Sequence, residues 1–216
     1  MKTRIVLLGP PASGKGMQAE FLKNRYGIAS VSPGAMLREE MRLGTPLGVE
    51  ADRMTRDGSM VPDAMVIQLV GNWLSTHHDG FVFDGFPRTV GQADALEQML
   101  AEWRAPLDAV LFFEITTETA FERVLNRLTC SRCGRSFATG LHLAAGQTRC
   151  PECGGALIRR SDDTPEALEH RIAEYSEKTK PLVEYYKKRG LLWNVKAAGT
   201  PAEVSAEITA LLEEAS

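Results

Sequence analysis

A glycine-rich loop near the N-terminus constrains the fold of this 216-residue chain more than any other feature. Residues 7–18 read LLGPPASGKGMQ, so that Gly9, Gly14 and Lys15 fit the spacing GxxxxGK. The loop follows an apolar run at 5–8 and precedes helical spacing at 14–26. Between a buried strand and a helix, backbone N–H groups and the helix dipole converge on a phosphate. The stretch therefore predicts a phosphate-binding loop; a glycine turn with a surface lysine is the alternative.

Apolar strands alternate with helical segments over most of the chain. After the strand at 5–8, further strands are predicted within GFVFDGFPR, DAVLFFEI and LLWNV. Helices are predicted at 14–26, 33–43, 47–56, 62–76 with Pro62 at its first position, 117–128, 164–190 with Thr164 as N-cap and an interruption at Pro181, and 201–214. This alternation predicts an α/β fold, a doubly wound parallel sheet with helices on both faces.

All four cysteines of the chain form two CxxC pairs. They are Cys130, Cys133, Cys150 and Cys153, and they lie in a segment, 129–160, that has no helical period. Two such turns place four thiolates around one tetrahedral centre, which leaves no open position for a substrate. We therefore predict a structural zinc ion in a small inserted unit, with four unpaired thiols as the alternative.

Charge and hydropathy exclude several classes of partner. The net charge is −3, which argues against a general affinity for nucleic acid or an anionic membrane. The apolar runs are too short to span a bilayer, and no leader pattern opens the chain. A nucleic-acid-binding zinc ribbon is also disfavoured, because the inserted unit offers one aromatic residue, Phe137, beside Arg132, Arg135 and Arg149. We expect a cytoplasmic monomer that binds neither nucleic acid nor membrane.

A second candidate site follows the predicted strand FVFD. The segment DGFPRT places Asp84 and Arg88 where the carboxyl end of a strand meets a ligand in open α/β sheets. Asp84 could order magnesium-bound waters and Arg88 could clamp a phosphate, whereas a strand cap and a surface arginine are the alternative. Arg123 and Arg127 are four residues apart, which predicts that they share one helix face. With Arg38, Arg160 and Arg171 they suggest a local anion pocket in an acidic chain.

Together these motifs resemble the adenylate kinase family, in its long form with a zinc-bearing lid. The resemblance runs in order along essentially the whole chain, through GPPASGKG, MLREEMRLGTPLG, DGFPRTVGQAD, ERVLNR and RRSDDTPEALEHRIAEY. DGFPR and the last segment are the most specific of these. The resemblance implies a P-loop fold and the reversible reaction of Mg·ATP with AMP to give two ADP. It also implies Mg²⁺ with ATP and a structural Zn²⁺ as cofactors.

The resemblance assigns roles to particular residues. It implies ATP contacts from Gly9, Ala12, Ser13, Gly14, Lys15, Gly16, Met17, Arg123, Arg127 and Thr200. It implies AMP contacts from Pro33, Arg38, Met60, Val61, Gly85, Arg88, Gln92, Arg160 and Arg171, with Gln92 reading the adenine edge. The catalytic cations would be Lys15, Arg88, Arg127, Arg160 and Arg171. Magnesium-bound waters, or hinge contacts, would fall to Asp84, Asp162 and Asp163.

The family pattern also implies three units and exposes departures from it. A core domain would comprise 1–32, 62–125 and 164–216, a helical monophosphate-binding insertion 33–61, and a zinc-bearing lid 126–163. Ala12 replaces a usual glycine and Met17 a usual threonine, while Pro33 and Ala35 replace a usual threonine and aspartate. Two alternatives stay open. One is a kinase of the same fold acting on UMP or CMP, against which the long zinc-bearing lid and Gln92 argue, and the other is a nucleotide-binding protein with weak turnover, which the altered loop would permit.

Overall fold

The strands form two separate sheets. The structure, a computed structural model, describes residues 3–55, 61–139, 143–144, 146–159 and 163–214. In this part of the chain the strands are β1 (Arg4–Leu8), β2 (Ala29–Val31), β3 (Phe81–Asp84), β4 (Ala109–Glu114), β5 (Arg127–Cys130), β6 (Ser136–Ala138), β7 (Leu157–Ile158) and β8 (Leu192–Lys196). Five of them pair in parallel in the order β2-β3-β1-β4-β8, and the other three form an antiparallel sheet in the order β6-β5-β7.

Helices connect the strands of the parallel sheet and cover both of its faces. The described helices are α1 (Lys15–Tyr26), α2 (Pro33–Leu43), α3 (Pro46–Thr55), α4 (Asp63–Leu74), α5 (Val90–Glu102), α6 (Thr117–Leu125), α7 (Pro165–Glu174), α8 (Pro181–Lys188) and α9 (Pro201–Glu214), with a π-helical turn at Tyr175–Thr179 between α7 and α8. None of them combines the length and the apolarity needed to cross a membrane.

The alternation of side chains along β1 divides the core into two layers. Val6 and Leu8 pack with α4, α5 and α8 on one face, whereas Ile5 and Leu7 pack with α1 and α9 on the other. All four side chains are almost fully buried. The predicted fold class, a doubly wound parallel sheet with helices on both faces, is confirmed.

Two smaller units extend from this core. Helices α2 and α3 pack on α4 through a small apolar cluster that includes Leu37, Ala51 and Leu69. The antiparallel sheet forms a second unit, in which Phe137 and Leu143 are buried beside Cys130 and Cys150. Both units lie on the same side of the molecule as the loop after β1, because residues of each line one cleft with that loop.

Most predicted elements are confirmed, and three predictions need correction. The helix predicted at 117–128 ends at Leu125, so Arg127 lies on β5 and does not share a helix face with Arg123. Pairing of β5 with β6 and β7 outweighs the helical spacing there. Pro62 is the N-cap of α4 and not its first helical residue. Strand β2 and helix α5 were not predicted. The predicted interruption at Pro181 is present and takes the form of the π-helical turn before it.

Candidate active site

One cleft opens at the carboxyl ends of the parallel strands. Its volume is about 950 Å³, and it is bounded by the loop 9–14, the start of α2, the segment 84–88, α6 and the inserted sheet. This is the edge at which open α/β sheets bind their ligands, because loops from several strands meet there. Arg38, Arg88, Arg123, Arg127 and Arg171 all line the cleft. The arrangement therefore suits a ligand with several negative charges.

The loop after β1 wraps around its own lysine. Nζ of Lys15 donates hydrogen bonds to the carbonyl oxygens of Gly9 (2.8 Å) and Pro10 (2.7 Å) and to Oγ of Ser13 (3.1 Å). Burial lowers the pKa of Lys15 to about 8; Asp84 opposes this, and the charges of Arg88, Arg171 and Arg127 add to it. A phosphate bound in the loop would place negative charge beside the Lys15 ammonium group and stabilise its protonated form.

The loop tolerates an alanine in a conformation that favours glycine. Ala12 has a φ of 59°, in the left-handed region that a side chain disfavours by about 1–2 kcal/mol. Ala12, which replaces the glycine usual in the family, therefore holds a strained backbone conformation in this loop. Met17 lines the cleft from the first turn of α1, and its thioether offers no strong donor to a phosphate.

The segment after β3 positions one acidic and one basic group. Asp84 closes β3 beside the loop, so near that a Cβ added to Gly16 would lie 3.1 Å from its Oδ2. Nε of Arg88 donates to the carbonyl oxygen of Gly85 at 2.9 Å, and Oγ1 of Thr179 donates to the carbonyl oxygen of Arg88 at 3.0 Å. Thr179 belongs to the π-helical turn, an element that is frequent at functional sites.

The base of the inserted sheet is tied to α7 through an acidic group. Both guanidinium nitrogens Nε and Nη2 of Arg127 donate to the carboxylate of Asp163, which is 3% exposed, and Nε does so at 2.9 Å. Nη1 of Arg171 lies 3.7 Å from the same carboxylate. Nη2 of Arg123 donates to the carbonyl oxygens of Ala197 (2.9 Å) and Ala198 (3.2 Å), after β8. Asp163 therefore joins the start of β5 to the segment before α7 through a buried ion pair.

A buried amide network links α4 to α5. Nε2 of Gln92 donates to Oδ1 of Asp63 at 2.7 Å, and Oε1 of Gln92 accepts from the backbone N–H of Arg88 at 2.7 Å. Oγ1 of Thr89 donates to Oδ2 of Asp63 at 2.6 Å and caps α5. Because a carboxylate accepts only, Asp63 fixes which end of the Gln92 amide donates. Gln92 is 1% exposed. The hydrogen bonds to Asp63 and Arg88 leave one N–H and one lone pair of the amide, and a nucleotide base could hydrogen-bond only to those.

The four cysteines lie together at the end of the inserted sheet. Their sulfur atoms are all within 4.8 Å of one another, with 3.4 Å between Cys130 and Cys153 and 3.8 Å between Cys133 and Cys150. A tetrahedral zinc with bonds of about 2.3 Å separates its sulfur ligands by about 3.8 Å, so the donor set fits that ion. A Cβ on Gly155 would lie 2.8 Å from Sγ of Cys130, which explains the glycine at this close approach.

Comparison with known proteins decides the family. The model of the family described as adenylate kinase matches residues 7–191. This chain belongs to the adenylate kinase family. The adenylate kinase of Thermodesulfovibrio yellowstonii is 39% identical over 213 residues, covering 98% of this chain and 99% of the relative. The adenylate kinases of Syntrophobacter fumaroxidans and Archaeoglobus fulgidus are also 39% identical, over 210 and 212 residues, covering 96% and 97% of this chain and 99% and 98% of the relatives.

The structure places most predicted site residues of this adenylate kinase family member around the cleft. The described residues predicted to contact ATP, AMP or magnesium-bound water that line it are Gly9, Ala12, Ser13, Gly14, Lys15, Gly16, Met17, Arg38, Asp84, Gly85, Arg88, Arg123, Arg127 and Arg171. Five others do not line it: Pro33, Val61, Gln92, Asp163 and Thr200. Val61 packs in the α2–α4 cluster, and Thr200 bonds Glu203 at the start of α9. Met60, Arg160 and Asp162 lie outside the described residues.

Several residues at the site were not predicted from the sequence. Ser32 lines the cleft at the start of α2, and Asp63 orients Gln92 across 29 positions of sequence. Arg135 of the inserted unit pairs with Glu152 at 2.7 Å and reaches Glu20 on α1 at 3.2 Å. For Ser32 the local signal was its position directly before a proline that starts a helix. The other contacts join segments that are distant in the sequence, so no local pattern reveals them.

Proposed function

We propose that this chain catalyses the reversible, magnesium-dependent transfer of a phosphoryl group from ATP to AMP, giving two ADP. One observation carries the proposal: a single cleft at the carboxyl ends of the parallel strands is lined by Lys15 and six arginines, one of which is Arg135 of the inserted unit. Phosphoryl transfer needs two anions held in line and their charge spread over cations, with little covalent help from the protein. A cleft of this charge and volume suits two nucleotides that meet through their phosphates.

The two sides of the cleft suggest a division of roles, which is part of the proposal. Lys15 and the backbone of the loop 9–16, which includes Ala12 and Ser13, would hold the ATP phosphates with Met17 beside them, and Arg123 and Thr200 would contact the rest of that nucleotide. AMP would contact Pro33, Arg38, Met60, Val61, Gly85, Arg88 and Gln92. Arg127, Arg160 and Arg171 would span the transferred group. No general base is required, because the attacking oxygen of the AMP phosphate is already anionic.

Exclusion of water would be the task of the inserted unit. Water that reached the phosphoryl group would compete with AMP, and a closing lid prevents this. We propose the unit 126–163 as the lid, 33–61 as the monophosphate-binding insertion, and 1–32, 62–125 and 164–216 as the core domain. The ion pair of Arg135 with Glu20 is a contact that such a lid makes with α1 when it covers the loop.

Two metal ions complete the proposal. Mg²⁺ bound with ATP would neutralise phosphate charge, and the carboxylate of Asp84 beside the loop fits its preference for oxygen ligands and retained waters. Asp162 and Asp163 are the other candidates for those waters, although Asp163 is engaged by Arg127. Zn²⁺ held by Cys130, Cys133, Cys150 and Cys153 would have no open position and would stabilise the lid. We further propose that the enzyme acts as a cytoplasmic monomer.

A coupled assay of ADP formation with Mg·ATP and a panel of monophosphates tests this function. We expect AMP to be preferred, because the free N–H and lone pair of the Gln92 amide match the donor and acceptor of the adenine edge. Equal kcat/KM for CMP or UMP would favour a pyrimidine monophosphate kinase of the same fold. Nucleotide binding without turnover of any monophosphate would contradict the proposed reaction.

A further inference from the structure

Three polar groups converge on an open space above Gly34, in the first turn of α2. A Cβ added to Gly34 would lie 3.4 Å from Nη1 of Arg38, 4.0 Å from Nη2 of Arg88 and 4.0 Å from Oγ of Ser32. All four residues line the cleft. Two guanidinium groups and a hydroxyl around one point are donors of the kind that bind a phosphate, and only glycine leaves that point free.

The hydroxyl of Ser32 is not used to cap its helix. Ser32 is the N-cap of α2, but its side chain makes no capping hydrogen bond. By contrast, the hydroxyls of Thr89, Thr116 and Thr164 each accept the backbone N–H three residues on at the starts of α5, α6 and α7. An N-cap serine normally stabilises its helix by that bond. The Ser32 hydroxyl therefore remains available to a ligand in the cleft.

Positive charges lie on two sides of this space. Desolvation lowers the pKa of Arg88; Asp84 and Glu174 oppose this effect, and the positive charge of Arg38 adds to it. Arg38 and Arg88 thus repel each other across the open space. A phosphate between them would remove that repulsion, and each of its oxygens could accept a hydrogen bond.

We propose that the Ser32 hydroxyl donates a hydrogen bond to the phosphate of the acceptor monophosphate, held between Arg38 and Arg88 above Gly34. Pro33 follows Ser32 and has neither a hydroxyl nor a backbone N–H, so Ser32 is the hydroxyl that this turn offers. The assignment rests on the proposed AMP kinase function, because it names a contact with the acceptor of that reaction. It makes Ser32 a binding residue for AMP and not for ATP.

The test compares three variants by KM for each substrate and by melting temperature. Ser32→Ala should raise KM for AMP about ten-fold or more, the usual loss of a hydrogen bond to a charged group, and leave KM for ATP unchanged. Ser32→Thr keeps the hydroxyl and should restore most of the affinity. Gly34→Ala fills the space itself and should raise KM for AMP at least as much as Ser32→Ala.

Thr116→Ala is the matched control, since Thr116 caps α6 and lies outside the cleft lining. It should lower the melting temperature and leave KM for AMP unchanged. Ser32→Ala should instead raise KM for AMP and leave the melting temperature unchanged. A KM for AMP within two-fold of wild type in Ser32→Ala would overturn the proposal.

Calorimetric titration with AMP separates this proposal from the proposed function. If the wild type binds AMP without turnover, the proposed reaction fails. In that case the Ser32 contact is still tested by binding, and a Kd for AMP that is unchanged in Ser32→Ala would overturn it. If the wild type neither binds nor phosphorylates AMP, both are overturned. Weaker AMP binding in Ser32→Ala and normal binding in Ser32→Thr support the contact in either case.

Discussion

The parallel sheet buries side chains such as Ile5, Val82 and Leu111 completely between two layers of helices, whereas the inserted sheet buries little beyond Phe137 and Leu143 around its four cysteines. A segment of about thirty residues is too small to be stabilised by burial alone. The first unit is thus held by its apolar core and the second by its candidate metal centre. The parallel-sheet core and the inserted unit are therefore stabilised by different forces, so substitutions can disrupt each one separately.

The largest expected effect comes from the core side, at Lys15. Lys15→Ala should lower kcat/KM by about a thousand-fold or more, as loss of a single essential cation does in phosphoryl transfer. The fold should survive, because the hydrogen bonds of the Lys15 side chain to described residues stay within the loop, and Ile5, Val6, Leu7 and Leu8 of β1 are buried by other contacts. Lys23→Ala, an exposed lysine on the same helix, is the control. Retention of more than about a tenth of wild-type activity in Lys15→Ala would remove this residue from the mechanism.

The second effect addresses the stability of the inserted unit. Cys150→Ser should abolish binding of about one zinc per chain and lower the melting temperature, because a structural zinc supplies much of the folding free energy of a small unit. The parallel sheet should keep its folded signal, and ATP should still bind at the loop. Ser131→Ala, an exposed neighbour of the cysteines, is the control. Purified wild-type protein with no metal and four freely titrating thiols would refute the metal centre.

The sequence predicts these two units unequally. The strand, loop and helix from Arg4 to Tyr26 are contiguous, so local spacing is enough to identify them. Strand β2 has only three residues, and its partner is β3, more than fifty positions away, so no local pattern reveals it. Arg127 continues the helical spacing of α6, yet pairing with Ala138 draws it into a strand. The contacts of Gln92 with Asp63 and of Arg135 with Glu20 likewise require the tertiary fold.

A third effect follows from the charge state of Lys15 at the core side. Its pKa of about 8 lies below the unfolded value of 10.5, so the free protein loses this cation above pH 8. We expect kcat/KM for ATP to fall about ten-fold per pH unit above that value. From pH 8 to 10.5 the unfolded chain binds the extra proton, so this group makes the free energy of unfolding rise with pH. Lys15→Arg keeps its charge and should show no such fall; an identical fall would assign it to another group.

The smallest effect concerns the contact between the two units. Arg135→Gln removes a half-exposed ion pair with Glu20, and pairs of this kind contribute about 0–1 kcal/mol. KM for ATP should rise by no more than about five-fold, with kcat retained or slightly higher because the lid opens more readily. Glu20→Gln should have a similar or smaller effect, because it leaves the pair of Arg135 with Glu152 in place, and the double variant should add little to Arg135→Gln. Additive effects in the double variant would show that the two side chains act independently.

The most direct test of the whole account is ADP formation from Mg·ATP and AMP by the wild type and by Met17→Thr. Lys15, the loop backbone and the cleft arginines should suffice for turnover without a hydroxyl at position 17. We expect clear turnover by the wild type and a kcat for Met17→Thr that is unchanged or modestly higher, since one hydrogen bond to a charged group changes a rate by about ten- to a hundred-fold at most. An inactive wild type that gains activity from Met17→Thr would contradict it.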